Sequence, residues 1–331
     1  MKKIALALCG ITLLFTACKK SNAPSQDVTE ETQVTITKRT CGSYDVLQTQ
    51  LKADPSLQQR MNQIEAFTTR MIQSGRLNQR TSGAVEIPVV VHVVYNTTAQ
   101  NISDQQIASQ IAVLNEDYSA TNSDNSKTPS AFGTVKSKGF GVHFSLFQTN
   151  RVKTKIKNFS TNDAVKNSSR GGDNAVDPQH KLNIWVCNLG NGLLGYAQFP
   201  GGNWNTDGVV ILYSAFGSRA KYPGGTYIST YDLGRSATHE VGHWMNLRHI
   251  WGDDNGACTG SDLVDDTPNQ GSENYGCPAF PHISCSNSGD MSMNYMDYTD
   301  DACMYMFSEG QQARALAVFA AGGPRAALAG N

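Results

Sequence analysis

The segment His239-Glu240-Val241-Gly242-His243-Trp244-Met245-Asn246-Leu247-Arg248-His249 constrains this chain more than any other stretch. On a helix, residues i and i+4 share a face, so His239 and His243 bring two imidazoles to one ion. Glu240 stands one step around that helix. It can point at a water on the ion without being a ligand itself. His249 would point elsewhere if the helix continued. It returns to the metal only if the chain turns sharply, and the turn falls at Asn246, because asparagine is the commonest non-glycine visitor to the left-handed region. Three neutral imidazoles with a fourth position left open make a catalytic zinc site, with Glu240 as the group that takes a proton from water and returns it to the leaving amine.

The run from His239 to His249 resembles the extended zinc signature of metzincin metallopeptidases, with Asn246 where their glycine usually stands. Asn294-Tyr295-Met296-Asp297-Tyr298 resembles the methionine turn that lies beneath their metal, with Met296 as its methionine. Leu194-Gly195-Tyr196-Ala197-Gln198-Phe199-Pro200, Asp262-Leu263-Val264-Asp265-Asp266-Thr267-Pro268 and the stretch from Met296 to Phe307 are similar to the pappalysin branch of that clan. The resemblance runs from Glu86 to Ala320.

It implies an α/β, metzincin-like catalytic domain with a mixed, mostly parallel sheet, an active-site helix and a loop-rich C-terminal subdomain. It implies that Tyr298 helps to stabilise the tetrahedral intermediate. Asp301 would lie in the pocket for the residue just after the scissile bond, where a carboxylate favours Arg or Lys. The strand Leu194, Gly195, Tyr196 and Ala197 would rim the cleft and pair with extended substrate. The crowded acids Asp253, Asp254, Asp262, Asp265 and Asp266 suit structural Ca²⁺ as hard oxygen ligands, and relatives carry calcium there. Among Cys258, Cys277, Cys285 and Cys303 three pairings are open from the residues alone. The family pattern implies Cys258–Cys285 and Cys277–Cys303.

Cys41 stands apart from those four, in Arg39-Thr40-Cys41-Gly42. A thiolate is a good fourth zinc ligand and would displace the catalytic water. This resembles the cysteine-switch latency of some metzincins. The alternatives are a spare cysteine or a bond to Cys187, which lies in a buried-strand pattern and reads as an inert core thiol.

Composition then excludes whole classes. Lys and Arg total 27 against 28 Asp and Glu, so the chain lacks the basic excess of a nucleic-acid binder. Eight cysteines suit an exported protein. Export also fits the start: basic Met1-Lys2-Lys3, an apolar run from Ile4 to Ala17, then Cys18. That run is too short to span a membrane. Cys18 reads either as a lipobox cysteine, anchoring the protein to a bacterial membrane, or as a residue beside an ordinary cleavage site.

The layout expected is a signal over 1–18, a tether and latency prosegment over 19–80, and a catalytic domain over 81–331, divided near 249. Leu57, Met61, Ile64 and Met71 predict a helix from about Pro55 to Ser74. The polar joint after it contains Arg76 and Arg80, where an enzyme cutting before Arg could process itself. Strands are expected at Ile87–Tyr95, Val142–Phe147, Leu182–Cys187 and Gly208–Tyr213, and helices after the capping boxes Ser103/Gln106 and Ser308/Gln311. The function expected is an exported zinc endopeptidase made as a zymogen, acting on proteins or peptides. The alternatives are a zinc peptidase of another specificity and a non-catalytic surface binding protein on the same scaffold. The intact His-Glu-His-His set argues against the last.

Overall fold

The long apolar run Val85–Tyr95 forms the spine of the structure as strand β1. It is flanked on both sides by parallel neighbours, which is why it shows no polar alternation. The computed structural model describes Met1 and residues 36–75, 77 and 84–330. The expected signal, the Cys18 lipobox, most of the tether, and Arg76 and Arg80 of the joint lie outside the described residues. Thr35–Asn331 form one compact unit.

Two helices precede β1, α1 (Ser43–Ala53) and α2 (Ser56–Gln73). Helix α3 (Asp104–Tyr118) follows it. Then come β2 (Val142–Lys153), β3 (Leu182–Cys187), β4 (Gly195–Ala197) and β5 (Val209–Leu212). Helices α4 (Arg235–Trp244) and α5 (Glu309–Ala317) complete the order. The sheet runs β2-β1-β3-β5-β4. All its pairs are parallel except β4 with β5, which places the short antiparallel strand β4 at one edge.

Local signals explain most of these elements. The Asp54 carboxylate accepts the Ser56 N–H at 3.0 Å, so Asp54-Pro55 opens α2. Ser308 and Gln311 make a complete capping box at α5. The box expected at α3 is only half made. The Ser103 hydroxyl accepts the Gln106 N–H, but the Gln106 carboxamide donates to the carbonyls of Tyr213, Phe216 and Thr226 instead of turning back. Helix α1 is not foreshadowed by a strong apolar stripe. It is held by packing, with Val46 and Leu47 buried.

From Trp251 to Phe307 the chain is nearly all loop, and two disulfides staple it, Cys258–Cys285 and Cys277–Cys303. Cys187 is free and sits fully buried in β3. His92 and His143 are strand residues engaged with Asp173 and Glu86, away from any ligand cluster. Among the described residues no helix is long and apolar enough to cross a membrane.

Candidate active site

Helix α4 carries His239, Glu240 and His243, all buried. It ends in a Schellman closure. The Leu247 N–H returns to the Gly242 carbonyl and the Asn246 N–H to that of His243, each at 2.9 Å. Asn246 adopts φ +74°. This left-handed residue reverses the chain and brings His249 back beside the other two imidazoles.

The His243 Nε2 lies 3.1 Å from Nε2 of His239 and 3.1 Å from that of His249. Every Nδ1 faces an oxygen acceptor: Tyr295 O at 2.7 Å, Leu247 O at 2.9 Å and Asp253 Oδ1 at 2.7 Å. These acceptors fix the proton on Nδ1 in each ring. Three Nε2 lone pairs therefore converge on one point, an arrangement that a bound cation relieves. Burial pushes His239 and His243 well below the usual imidazole range, which keeps them neutral, the form that ligates. Cys41 Sγ completes the set, with the four ligand atoms all within 4.8 Å of one another. Three imidazoles and a thiol are a zinc donor set.

The methionine turn supports this centre from below. A Cβ on Gly242 would stand 2.5 Å from Met296 Sδ, so only glycine lets the turn approach α4 so closely. Its neighbour Tyr295 orients His239 through its carbonyl, a role that residue spacing did not reveal.

Glu240 lies against the segment that precedes helix α1 and against the start of that helix. Ser43 Oγ donates to its Oε2 at 2.8 Å, and Cys41 Sγ stands 3.3 Å from the same oxygen. Burial lifts Glu240 to about 7, although the Ser43 and Cys41 donors pull the other way. Burial, reinforced by the nearby Glu240 charge, also pushes the Cys41 thiol well up, so a cation is what would make it a thiolate here. The Tyr298 hydroxyl accepts the Cys41 N–H at 3.3 Å and faces the Cys41 carbonyl at 3.4 Å. Its ring meets the His249 ring edge-on.

Strand β4 forms the rim. The Gly42 N–H bonds Gly195 O at 2.9 Å, the Leu194 N–H bonds Thr40 O at 3.0 Å, and the Ala197 N–H reaches Ser43 Oγ at 2.8 Å. Gly195 packs so tightly that a Cβ would meet Glu240 Cγ at 2.8 Å. Tyr196 itself points into the core and is fully buried.

Asp301 is fully buried, and its partner is Arg39. The guanidinium donates to Asp301 Oδ1 at 2.6 Å, to Ser236 Oγ at 3.1 Å and to Thr299 O at 3.2 Å. The second Asp301 oxygen accepts the N–H groups of Leu233 and Arg235. Arg39 could have been flagged beforehand, because it stands two residues before Cys41 and is the residue type that the Asp301 pocket was expected to take.

The five acids expected to gather around calcium are dispersed. Asp253 orients His249. Asp254 accepts the backbone N–H groups of Gly256, Ala257, Thr259 and Gly260, folding its own loop. Asp262 accepts from Val264 and Thr267, and Asp266 from Ser308 and Gly310, while Asp265 is exposed. Among the described residues, Cys41 with the three histidines is the one group of three or more such ligands that converges. Local turns and helix caps claim these carboxylates, so density along the chain does not become a carboxylate cluster in space.

A family model described as pregnancy-associated plasma protein-A matches residues 166–320. The extracellular metalloprotease 1 of Coccidioides posadasii is 36% identical over 242 residues, covering 70% of this chain and 75% of that protein. The extracellular metalloprotease of Pyricularia oryzae is 37% identical over 255 residues, covering 75% and 79%. Among solved structures, Tannerella forsythia mature mirolysin in complex with a cleaved peptide is 51% identical with a TM-score of 0.72, over 75% of this chain and 96% of that one. A mutant of Tannerella forsythia promirolysin is 45% identical with a TM-score of 0.77, over 88% and 97%.

Proposed function

The chain belongs to the pappalysin family of metzincin zinc metallopeptidases, and on that premise we propose that it is an exported endopeptidase zymogen that cuts before Arg or Lys and is held latent by its own prosegment. One observation carries the reading: the run Arg39-Thr40-Cys41-Gly42 fills the whole cleft. Arg39 occupies the Asp301 pocket, Cys41 stands with the three histidines, and Thr40 and Gly42 pair with the rim strand.

The polarity of this run explains why it inhibits. In a productive substrate, the residue in the Asp301 pocket follows the scissile bond. In the prosegment, Arg39 precedes the residue that faces the metal centre. The segment therefore lies backwards, with a side-chain sulfur rather than a peptide carbonyl at the reactive position. The promirolysin likeness, which covers more of this chain than the mature form does, fits a zymogen.

Once the prosegment leaves, the chemistry belongs to a few residues. Zinc held by His239, His243 and His249 supplies a Lewis acid that polarises a peptide carbonyl and makes water nucleophilic near neutral pH. Glu240 accepts the proton of the attacking water and delivers it to the leaving amine. Tyr298, released from Cys41, offers its hydroxyl to the developing oxyanion. Asp301 pairs with the incoming Arg or Lys. Outside the cell the protein is either tethered through Cys18 or released, and the mass of its mature N-terminal residue tells the two apart. The names of the curated relatives support export.

Cleavage-site profiling of the processed enzyme tests the specificity. Arg and Lys should dominate just after the cut, and Asp301→Ala should remove that preference. Unchanged selectivity in the variant would refute the assignment.

A further inference from the structure

Beyond the metal, the prosegment covers a second surface. Leu47, Leu57 and Met61, with Leu51 beside them, enclose Phe199 in a small apolar cluster of its own, separate from the main core. Phe199 packs against the ring of His243, with the two ring centroids 5.2 Å apart, and the Arg248 guanidinium lies over the Phe199 ring, 4.7 Å from its centroid. From α2, Glu65 Oε1 reaches Arg314 at 2.6 Å and Arg248 at 3.5 Å. Burial opposes that charge, yet the two guanidiniums win and hold Glu65 below the usual carboxylate range. Among the described residues, Glu65 is the only carboxylate that forms an ion pair with either arginine. The Arg248 Nε is buried and has no hydrogen-bond partner. Arg314 also donates its Nε to Asn246 O at 2.8 Å, inside the turn that returns His249.

The side of the cleft follows from the pairing. Prosegment and rim run in parallel, from Thr40 against Leu194, through Gly42 against Gly195, to Ser43 against Ala197. Phe199 lies just beyond that end, on the far side of Cys41 from Arg39. Under the specificity proposed above, this is where substrate residues before the scissile bond must lie.

We propose that Phe199, Arg248 and Arg314 form an accessory substrate site that takes an acidic side chain with an apolar neighbour, a few residues before the scissile bond, and that Glu65 and the leucines of the prosegment occupy it in the zymogen. The inference rests on the proposed zymogen and its polarity. Loss of the prosegment leaves two guanidiniums, that of Arg248 over the Phe199 ring, with no carboxylate among the described residues in an ion pair with them. An Asp or Glu of the substrate replaces Glu65. The contact is remote from the reacting bond, so it acts on KM and leaves kcat unchanged.

The test uses zinc-loaded processed enzyme and fluorogenic peptides that all carry Arg just after the scissile bond. Glu or Gln is placed two, three or four residues before that bond. At one of these positions the Glu peptide should show kcat/KM about tenfold above its Gln partner, carried by KM, the scale of one charged hydrogen bond. Arg248→Gln should reduce that ratio toward unity, and Arg248→Glu should invert it; because the ratio compares two peptides on the same variant, a general loss of rate cancels from it. The neutral peptides serve as the control for folding. Equal rates for Glu and Gln at all three positions, or an acid preference that survives both substitutions, would overturn the site while leaving the cleavage specificity standing. Failure to cut any Arg peptide would overturn both readings.

Discussion

Replacing Arg39 with alanine tests the latency reading most directly. The Arg39–Asp301 pair is sealed, with side-chain exposures of 2% and 0%. Removing the guanidinium leaves Asp301 with only the N–H groups of Leu233 and Arg235, and strands the Ser236 hydroxyl and Thr299 carbonyl. Breaking a buried pair from one side costs about 3–5 kcal/mol. Water entering the vacated pocket offsets part of this, so the lower end applies, roughly a hundredfold in affinity. The assay adds a peptide spanning residues 36–73 to processed enzyme and follows a fluorogenic substrate. The inhibition constant of the Arg39→Ala peptide should rise by roughly two orders of magnitude. Arg39→Lys should fall between, because lysine reaches Asp301 but cannot also span Ser236 and Thr299. Against Asp301→Ala enzyme the Arg39 substitution should matter far less. An Arg39→Ala peptide that inhibits as well as the wild type would refute the pairing as a source of latency.

Three further outcomes follow from the same geometry. Cys41→Ala precursor should be active without processing, since Cys41 is the one residue of the described N-terminal segment that stands with the histidines as a ligand; a latent variant would count against the switch. Glu240→Ala should retain zinc, measured by metal analysis, and lose peptidase activity; full activity would sink the mechanism. Asp262 is lifted by burial to about 7, so the fold favours its neutral form. The stability this gives is present below the ordinary carboxylate value and is lost as pH rises through about 7. Asp262→Asn should therefore raise the melting temperature by a few degrees at pH 8 and by much less at pH 5, and an equal effect at both would disprove the assignment.

What the sequence determined by itself is what local geometry dictates. The spacing of His239 and His243 is set by the helical repeat, and the turn at Asn246 by the backbone freedom of asparagine. The unbroken apolar run of β1 announced a sheet covered on both faces. The contacts on which the proposed latency rests were not legible in the same way. Ser43 meets Glu240 across 197 residues of chain, and Arg39 meets Asp301 across 262. No period or spacing encodes such a meeting; it exists only once β4 forms an edge and residues 40–43 lie along it. The acids of the Asp253–Asp266 loop show the converse. Their crowding in sequence suggested one shared ion; in space each carboxylate takes the donors that the fold brings to it, among them a histidine, turn amides and a helix cap. The sequence thus defined which side chains could do chemistry, and the tertiary structure assigned their partners, because hydrogen-bond reach is measured in space and not along the chain.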